Sequence, residues 1–468
     1  MSSTLTSTFR KQTRGSVDLV VKNAKLLLES GIATGGIGVI NGTIVVIAGD
    51  DHLPEASTVI DAEGKILMPG LIDAHAHIHD PAMLEHETFT TGSKAAVAGG
   101  VTTFVDMPLT NQVDTTKAVD EKIAQGEEMS VADFTFYAGM MNSENHVAIP
   151  ALVDKGVAAF KAFNCEPYHA SNGVIVKCLS AVSEFGGLLT VHSEDQGILD
   201  EFGREMEDEW DAPISHSLAR PNIAEQLAIR QNIDIAEQTG GHLHIAHVTT
   251  REGLQEVEKG RLRGVMVTTE VCPHHLVFFR DDMNRLGAKS KMNPPLRSSE
   301  DRAALWSGLL RGAIDTVVSD HAPCPIEMKE AGSEDIREAW SGVDGIQMIL
   351  RVLLSEGINK SRLTYSKLLR ICSRNPARIF GLYPKKGVLS LGADADFVII
   401  DQHKEEKITV DMMESKCGWT LYEGMTLKGV PVMTFIRGAE AFNGANVTIK
   451  PGHGKFQAMG SGNKPIGD

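Results

Sequence analysis

Hydrophobic and polar residues alternate in two different ways along this chain. Short strand-like runs open it at 18–21, 37–40 and 43–48, and the pair Asn41-Gly42 joins the last two. Asn-Gly between two apolar runs is the strongest short-range signal of a β-hairpin, because both turn residues must take positive φ. Strand-like runs return near the C-terminus at 397–400 and 432–435. We expect the N- and C-terminal strands to meet in one small β-sandwich domain.

From Lys65 onward, apolar strand candidates alternate with longer helical patterns such as 89–98, 222–239 and 299–310. This alternation is typical of a parallel sheet with crossover helices. The strand candidates are 66–72, 102–107, 134–137, 158–163, 188–191, 243–246, 265–269 and 316–318. Eight β/α units over about 250–300 residues predict an α/β fold, the (β/α)8 or TIM barrel.

The predicted domain organisation follows from these two patterns. Residues 1–64 form the N-terminal part of the β-sandwich, 65–385 the barrel, and 386–468 the C-terminal part of the sandwich and a tail. The Gly- and Ser-rich end, 460–468, is expected to be a loose tail. The first sixteen residues are polar, carry three basic side chains and lack acids, which favours a disordered tail over a transit peptide.

Composition narrows the class of protein. The 468 residues are 42% hydrophobic and 23% charged, a balance typical of a globular protein rather than a disordered one. The formal net charge of −16 argues against nucleic-acid and membrane partners, since an acidic surface repels phosphates and anionic lipids. The six cysteines are far apart and form no CxxC pair, so we expect reduced thiols and a cytoplasmic location.

Polar side chains suited to chemistry lie where the predicted barrel strands end. His75 and His77 follow the first strand, and residues i and i+2 of a strand point to the same face. One lysine, Lys161, interrupts the apolar fourth strand. The later strands end at His192, His247 and Asp320. Catalytic groups of this fold come from the C-terminal ends of several strands, so one rim would gather all six.

Each of these residues also has an ordinary structural explanation. A single histidine near a strand end is more often a core or surface residue than a ligand. The head group of Lys161 could reach solvent, and Asp320 could cap a helix or loop. Without a metal site, all of these separate explanations would have to apply at once to residues that the fold places on one rim. A single metal site accounts for all of the residues together, so we favour it.

The residue types are consistent with a pair of divalent cations. Imidazole and carboxylate suit zinc, and also iron, cobalt, manganese or nickel. Two such ions a few ångströms apart need an anionic bridge, which a lysine carboxylated by carbon dioxide supplies. Ala158, Phe160 and Phe163 surround Lys161 in sequence and disfavour its ammonium form, which makes its amine suited to that reaction.

With these residues placed, the chain resembles the amidohydrolase superfamily, and within it the cyclic amide hydrolases. The resemblance covers nearly the whole chain. The motifs that carry it are 68–77 (MPGLIDAHAH), 99–103 (GGVTT), 160–163 (FKAF), 244–248 (HIAHV), 270–274 (EVCPH), 293–297 (NPPLR), 319–324 (SDHAPC) and 392–396 (GADAD).

The resemblance implies a role for each candidate residue. His75, His77 and Asp320 would bind one metal ion, His192 and His247 the second, and carboxylated Lys161 would bridge the two. Asp320 would also take a proton from the attacking water and deliver it to the leaving ring nitrogen. The substrate-binding residues would be Asn293, Ser341 and Gly342. A homotetramer and a small cyclic ureide or amide substrate are also implied.

Departures from the subfamily patterns bear on the substrate. Dihydroorotases usually carry an arginine two positions after His-x-His and an asparagine after Met-Pro, where this chain has His79 and Leu109. D-hydantoinases and dihydropyrimidinases usually carry a tyrosine five residues after the lysine, where this chain has Glu166. The segments 319–329 and 339–342 resemble allantoinases most, whereas 357–363 and 452–456 are closer to an L-hydantoinase.

We therefore predict a hydrolase of C–N bonds in cyclic amides, with allantoinase as the favoured activity. Hydantoinase or dihydropyrimidinase is the alternative, followed by dihydroorotase. Two further classes fit less well. A metal-free scaffold relative would have lost ligand residues, and all six are present; a mononuclear deaminase of the same fold usually lacks the lysine of the fourth strand.

Overall fold

The structure, a computed structural model, describes residues 16–78, 81–110 and 112–460. The predicted tails, 1–16 and 460–468, therefore lie almost entirely outside the described residues, and so does His79. The strands of the described part are, in chain order, β1 (Val17–Leu28), β2 (Gly31–Ile40), β3 (Thr43–Ala48), β4 (Ala56–Asp61), β5 (Ile66–Pro69), β6 (Leu71–Ala76), β7 (Val101–Asp106), β8 (Asp133–Phe136), β9 (Ala159–Phe163), β10 (Leu188–His192), β11 (Leu243–Ile245), β12 (Val267–Val271), β13 (Thr316–Val317), β14 (Phe397–Lys407), β15 (Thr426–Ile436) and β16 (Ala439–Phe442).

Helices follow the strands of the central region. They are α1 (Phe89–Ala98), α2 (Thr116–Met129), α3 (Ile149–Asp154), α4 (Asn172–Phe185), α5 (Gln196–Glu205), α6 (Ser215–Leu218), α7 (Asn222–Thr239), α8 (Arg251–Leu262), α9 (Pro273–Val277), α10 (Met283–Leu286), α11 (Ser299–Arg311), α12 (Ile326–Glu330), α13 (Ile349–Val352), α14 (Tyr365–Leu369) and α15 (Asn375–Ile379). The patterns at 89–98 and 222–239 match α1 and α7 residue for residue. Thr88 caps α1 through a capping box, and Gly240 ends α7 in the left-handed conformation.

The terminal strands form one sheet, in the order β16-β15-β14-β5-β1-β2-β3, with β4 beside β1. The N- and C-terminal parts of the chain meet where β5 pairs antiparallel with β14, with Met68 opposite Val398. The predicted hairpin is confirmed: β2 pairs antiparallel with β3, and Asn41 and Gly42 have φ values of 49° and 76°. The prediction that the two ends of the chain meet in one small β-sandwich domain, separate from the barrel, is confirmed.

The barrel consists of the parallel strands β6 to β13, as the sequence predicted. One group pairs in the order β6-β7-β8 and the other in the order β9 to β13. Parallel bridges between Ala138 and Phe160 and between Ala76 and His321 join the two groups and close the barrel. Its strands are almost wholly buried, which is the pattern expected where helices cover a parallel sheet.

The structure corrects the predicted first barrel strand, 66–72. Residues 66–69 are β5 of the terminal sheet, and the barrel begins only with β6 at Leu71. Gly70 lies between the two strands, and a Cβ atom at this position would be 2.2 Å from Oγ1 of Thr102. The chain changes sheets at a point where only glycine fits, so an unbroken apolar pattern in the sequence runs across two separate strands.

A buried ionic cluster ties the C-terminal segment to the bottom of the barrel. The Lys386 ammonium lies 2.5 Å from Asp133, 2.8 Å from Asp394 and 2.5 Å from Asp396. Arg437 also pairs with Asp133. Removing one member would leave charges buried without a partner, which is strongly destabilising.

Two further features concern cysteines and membranes. All six cysteines are free and buried, as expected from their spacing. Within the described ranges, no helix has both the length and the apolar character required to cross a bilayer.

Candidate active site

The mouth of the barrel brings together His75, His77 and Asp320, from the two strands at which the barrel closes. Nε2 of His75 lies 3.2 Å from Oδ1 of Asp320, and Nε2 of His77 lies 3.3 Å from the same oxygen. Their ligand atoms therefore converge on one point, with spacing that suits a single cation.

A second group lies across the mouth. Nδ1 of His192, at the end of β10, is 3.0 Å from Nε2 of His247, which follows β11. The rings of His247 and His75 lie 5.4 Å apart, so the second group adjoins the first. Burial, followed by the neighbouring His192, holds the pKa of His247 well below its usual range, which leaves a neutral imidazole with a free lone pair.

Lys161 lies on β9 beside both groups. Its side chain is only 1% exposed, and its Nζ has no hydrogen-bond partner among the described residues. Burial lowers the pKa of Lys161 to about 8. An unpaired buried amine is costly, and a lysine is almost never buried in this way without a functional reason.

Two of the candidate residues have strained backbones. His247 has φ of 28° and Asp320 has φ of 46°, in the left-handed region that non-glycine residues rarely adopt. The Asp320 amide donates to the carbonyl of His75 at 2.9 Å, which ties the two strand ends together. Strain of this kind concentrates at functional sites, where the surroundings hold side chains in place.

Glu270 on β12 orients the first group from behind. Its Oε1 accepts from Nδ1 of His75 at 2.5 Å and from the main-chain amide of His247 at 3.2 Å, and its Oε2 lies 3.0 Å from Nε2 of His244. Burial by itself raises a carboxyl pKa, but His75 and His244 hold the pKa of Glu270 below its usual range. A carboxylate on one ring nitrogen leaves the other nitrogen free to bind a cation.

Glu194 orients His192 of the second group through a hydrogen bond to its ring. Its Oε2 accepts from Nε2 of His192 at 2.8 Å and from Arg220 at 2.5 Å. His77, for its part, donates from Nδ1 to the carbonyl of Met107 at 2.6 Å. The sequence interpretation did not assign Glu194 or Glu270 a role. For Glu194 the i, i+2 spacing from His192 was a usable signal, whereas Glu270 is far from His75 in sequence.

These groups line a cavity of about 410 Å³ at the barrel mouth. The six predicted ligand residues and the three predicted substrate contacts, Asn293, Ser341 and Gly342, all line it. The remaining lining residues are Met83, Leu109, Phe163, Cys165, Glu166, Pro167, Tyr168, Ala322, Met328, Glu338, Ala339 and Trp340. The structure thus places every residue predicted from the sequence for the site around one space.

Polar groups in the cavity wall are left open towards it. Oδ1 of Asn293 is buried and has no hydrogen-bond partner in the part of the chain that the structure describes. Burial raises the pKa of an acid, but the flanking histidines, His75 foremost, hold the pKa of Asp320 well below its usual range. Asp320 is therefore ionised and able to accept a proton.

Comparisons with known proteins agree with this geometry. The model of the Amidohydrolase family matches residues 66–441. An L-hydantoinase from Paenarthrobacter aurescens is 32% identical over 447 residues, covering 94% of this chain and 97% of the relative. An allantoinase from Rubrobacter xylanophilus is 34% identical over 447 residues, with the same coverage of both chains.

Solved structures show the same architecture. The L-hydantoinase (dihydropyrimidinase) of Arthrobacter aurescens superposes with a TM-score of 0.91 at 31% identity, over 94% of this chain and 99% of the other. A dihydropyrimidinase from Brevibacillus agri gives a TM-score of 0.90 at 28% identity, over 95% and 99%. The chain belongs to the amidohydrolase family, whose members act on small molecules and generally use a binuclear metal centre. Within that family it is a cyclic amide hydrolase.

Proposed function

We propose that this enzyme is an allantoinase, which opens the ring of allantoin to give allantoate. The observation that carries the proposal is the charge of the cavity wall. Among the described residues that line the cavity, Lys161 is the only lysine or arginine, whereas Glu166 and Glu338 contribute carboxylates. Apart from Lys161, the described lining residues offer a substrate carboxylate, such as that of dihydroorotate, no lysine or arginine side chain to bind it. The uncharged ureido group of allantoin has N–H groups that can donate hydrogen bonds to these two carboxylates.

The donor set fits two divalent cations, zinc in the first place, with iron, cobalt, manganese and nickel also compatible. His75, His77 and Asp320 would hold one cation and His192 and His247 the other. N6-carboxylated Lys161 would supply the bridging oxygens, which accounts for its buried, unpartnered amine. When bound, the two cations supply Lewis-acid activation of the water and of the scissile carbonyl.

The residues of the chain itself would bind the ring and move the proton. Asp320, kept ionised by its histidine neighbours, takes a proton from the attacking water and passes it to the leaving ring nitrogen. The free Oδ1 of Asn293 accepts a ring N–H. The main-chain groups of Ser341 make no hydrogen bond among the described residues, so they are available to the ring amide. A Cβ at Gly342 would lie 2.3 Å from the Ala322 carbonyl, so only glycine lets this wall pack so closely.

Hydantoinase activity is the second candidate, and a specific observation favours it. Met83, Leu109, Phe163, Met328 and Trp340 form an apolar part of the wall that would suit an alkyl or aromatic substituent. The L-hydantoinase structure also gives the TM-score of 0.91. The two candidates differ in what the substituent on the ring contacts: carboxylates or apolar side chains.

A panel assay tests the proposal. Metal-replete enzyme is given allantoin, unsubstituted hydantoin, a 5-alkyl hydantoin, dihydrouracil and dihydroorotate. We expect kcat/KM to be highest for allantoin by at least ~10-fold, the scale of one good polar contact. Glu166→Gln and Glu338→Gln should each lower kcat/KM for allantoin and leave that for unsubstituted hydantoin unchanged. A preference for the 5-alkyl hydantoin, unaffected by either variant, would contradict allantoinase and support hydantoinase.

The proposal extends to a homotetramer, as the resemblance implies, and to the cytoplasmic location expected from reduced cysteines. Light scattering coupled to size exclusion measures the mass of the assembly in solution. A monomeric mass at micromolar concentration would contradict the tetramer.

A further inference from the structure

The segment 337–342 supplies much of one cavity wall, although it belongs to no barrel strand and no α-helix. Ala339, Trp340, Ser341 and Gly342 all line the cavity. We refer to residues 337–342 as the wall loop. Loops are usually the mobile part of a barrel enzyme, yet a loop that orients a substrate must be held within a fraction of an ångström.

One fixing group is Lys329, on the short helix α12. Its side chain is fully buried, and its Nζ donates to the carbonyl of Trp340 and to the carbonyl of Lys291, each at 2.7 Å. The amine also lies 5.5 Å from the centre of the Trp419 ring. No carboxylate accompanies it in an ion pair within the described residues. A buried lysine that bonds only to main-chain carbonyls acts as a cross-link between chain segments.

Lys291 is the second such group, and it holds the opposite end of the wall loop. Its Nζ donates to the carbonyl of Arg337 at 2.6 Å and to that of Ala339 at 2.7 Å. Its own carbonyl accepts from the amide of Gly342 at 3.1 Å, besides accepting from Lys329. Three carbonyls of the wall loop, at residues 337, 339 and 340, are therefore bound by two lysine side chains.

We infer that Lys329 and Lys291 are positioning residues of the active site, which clamp the wall loop so that Trp340, Ser341 and Gly342 present a fixed surface to the substrate ring. The inference rests on the proposed function in one respect only, which is the identity of the ring that fills the cavity. With the carbonyls of 337, 339 and 340 bound by the clamp, the loop holds Ser341 at the cavity wall, where its main-chain groups make no hydrogen bond among the described residues. Trp340 is further held by its amide, 2.9 Å from the Met328 carbonyl.

The chemistry of the two amines suits this role in either protonation state. Burial lowers the pKa of Lys329 to about 7 and that of Lys291 to about 8. A neutral amine still has two N–H bonds, and each lysine here has two carbonyl acceptors. Arginine would not substitute, because its planar fork needs more donors satisfied and more space.

The test uses holoenzyme carrying Lys329→Met, a side chain of similar length that lacks the amine. We expect KM for the best substrate of the panel to rise by ~10-fold or more, with kcat changed less than ~3-fold, since the loop binds the ring and takes no part in proton transfer. Lys291→Met should change KM in the same direction. Metal content should equal that of the native enzyme.

A second readout needs no substrate. Arg337 is exposed at the start of the wall loop and offers trypsin a cleavage site. Mass spectrometry of native holoenzyme should show faster cleavage after Arg337 in both variants, and a bound substrate analogue should slow it. The cleavage rate of the ligand-free enzyme does not depend on which substrate is hydrolysed. Failure of allantoin hydrolysis would therefore refute the proposed function without contradicting the clamp.

Arg302→Met is the matched control. Arg302 also donates to a main-chain carbonyl, that of Val277 at 2.8 Å, but neither residue lines the cavity. It should leave KM and cleavage after Arg337 unchanged even if it lowers the melting temperature. The clamp is refuted if Lys329→Met and Lys291→Met fold, bind metal, and keep both the native KM and the native cleavage rate. If Lys329→Met fails to fold, Lys291→Met alone decides.

Discussion

The imidazoles of His192 and His247 face each other, with Nδ1 of His192 3.0 Å from Nε2 of His247. Nε2 of His192 is hydrogen-bonded to Glu194, so Nδ1 is the ring nitrogen that faces His247. Two ring nitrogens in this arrangement share either a proton or a cation. On the other side of the mouth, Nε2 of His75 and Nε2 of His77 both lie close to one oxygen of Asp320, and a single cation can bind all three atoms.

We therefore expect close to two divalent metal ions per chain in enzyme grown with adequate metal and bicarbonate. Elemental analysis measures this directly. Removal by a chelator should abolish turnover, and readdition of metal should restore it. A stoichiometry below one, with no activity on reconstitution, would contradict a binuclear centre in this chain.

Lys161→Ala should lose metal and activity together, because the bridging oxygens are removed while the barrel core is left intact. A short carboxylic acid such as acetate or propionate should restore part of the activity by filling the space and supplying those oxygens. Lys161→Arg is the matched control and should not be rescued, since guanidinium occupies the space and repels cations. Normal metal content and turnover in Lys161→Ala would rule out the bridge.

Asp320→Asn should keep the fold and most of the metal but lower kcat by at least ~100-fold, the scale of acid–base catalysis. The amide can still occupy the position between His75 and His77, but it cannot accept a proton. Steady-state kinetics on protein of measured metal content checks this. Retained turnover with metal bound would assign the proton transfer to another group.

Glu270→Gln should weaken metal binding by ~10-fold or more, the usual cost of losing a carboxylate that orients a histidine ligand. The affected ligands are His75, through its side chain, and His247, through its main-chain amide. Competition with a chromophoric chelator measures the affinity. Glu201→Gln, an exposed glutamate on α5, is the control and should bind metal as the native chain does. Equal affinity in both variants would remove Glu270 from the site.

Stability should depend on pH through Lys329. Its pKa falls to about 7 in the folded protein, from the ordinary lysine value of 10.5. Between these values the unfolded chain holds a proton that the folded chain has released, so stability rises with pH, by at most about 1.4 kcal/mol per pH unit. The stability lost in Lys329→Met should therefore be greater at pH ~9 than at pH ~7.5. Urea unfolding of the native chain and of Lys329→Met at both pH values measures this difference. The titration of Cys324, Lys291 and Asp344 affects both proteins and therefore largely cancels. A difference independent of pH would show that the amine stays charged in the folded state.

The pattern of the sequence was enough to determine the barrel and the candidate site residues. Parallel strands covered by helices are apolar along their whole length, and α-helices show their own period, so both kinds of element can be recognised locally. His75, His77, His192, His247 and Asp320 stand at or just after strand ends. Since a barrel of this kind gathers those ends on one rim, strand position alone was sufficient to bring them together.

Only the tertiary structure decided how these residues are oriented and which others support them. Glu270 binds His75 across 195 positions of sequence, and Lys291 binds Ala339 across 48. Nothing local distinguishes such a glutamate or lysine from one on the surface, because its partner is chosen by folding. The split of 66–72 at Gly70 has the same origin: the apolar pattern is continuous, and only close contact with Thr102 shows where the chain leaves one sheet for the other. Local periodicity encodes the elements, whereas contacts between distant segments determine the geometry on which the chemistry depends.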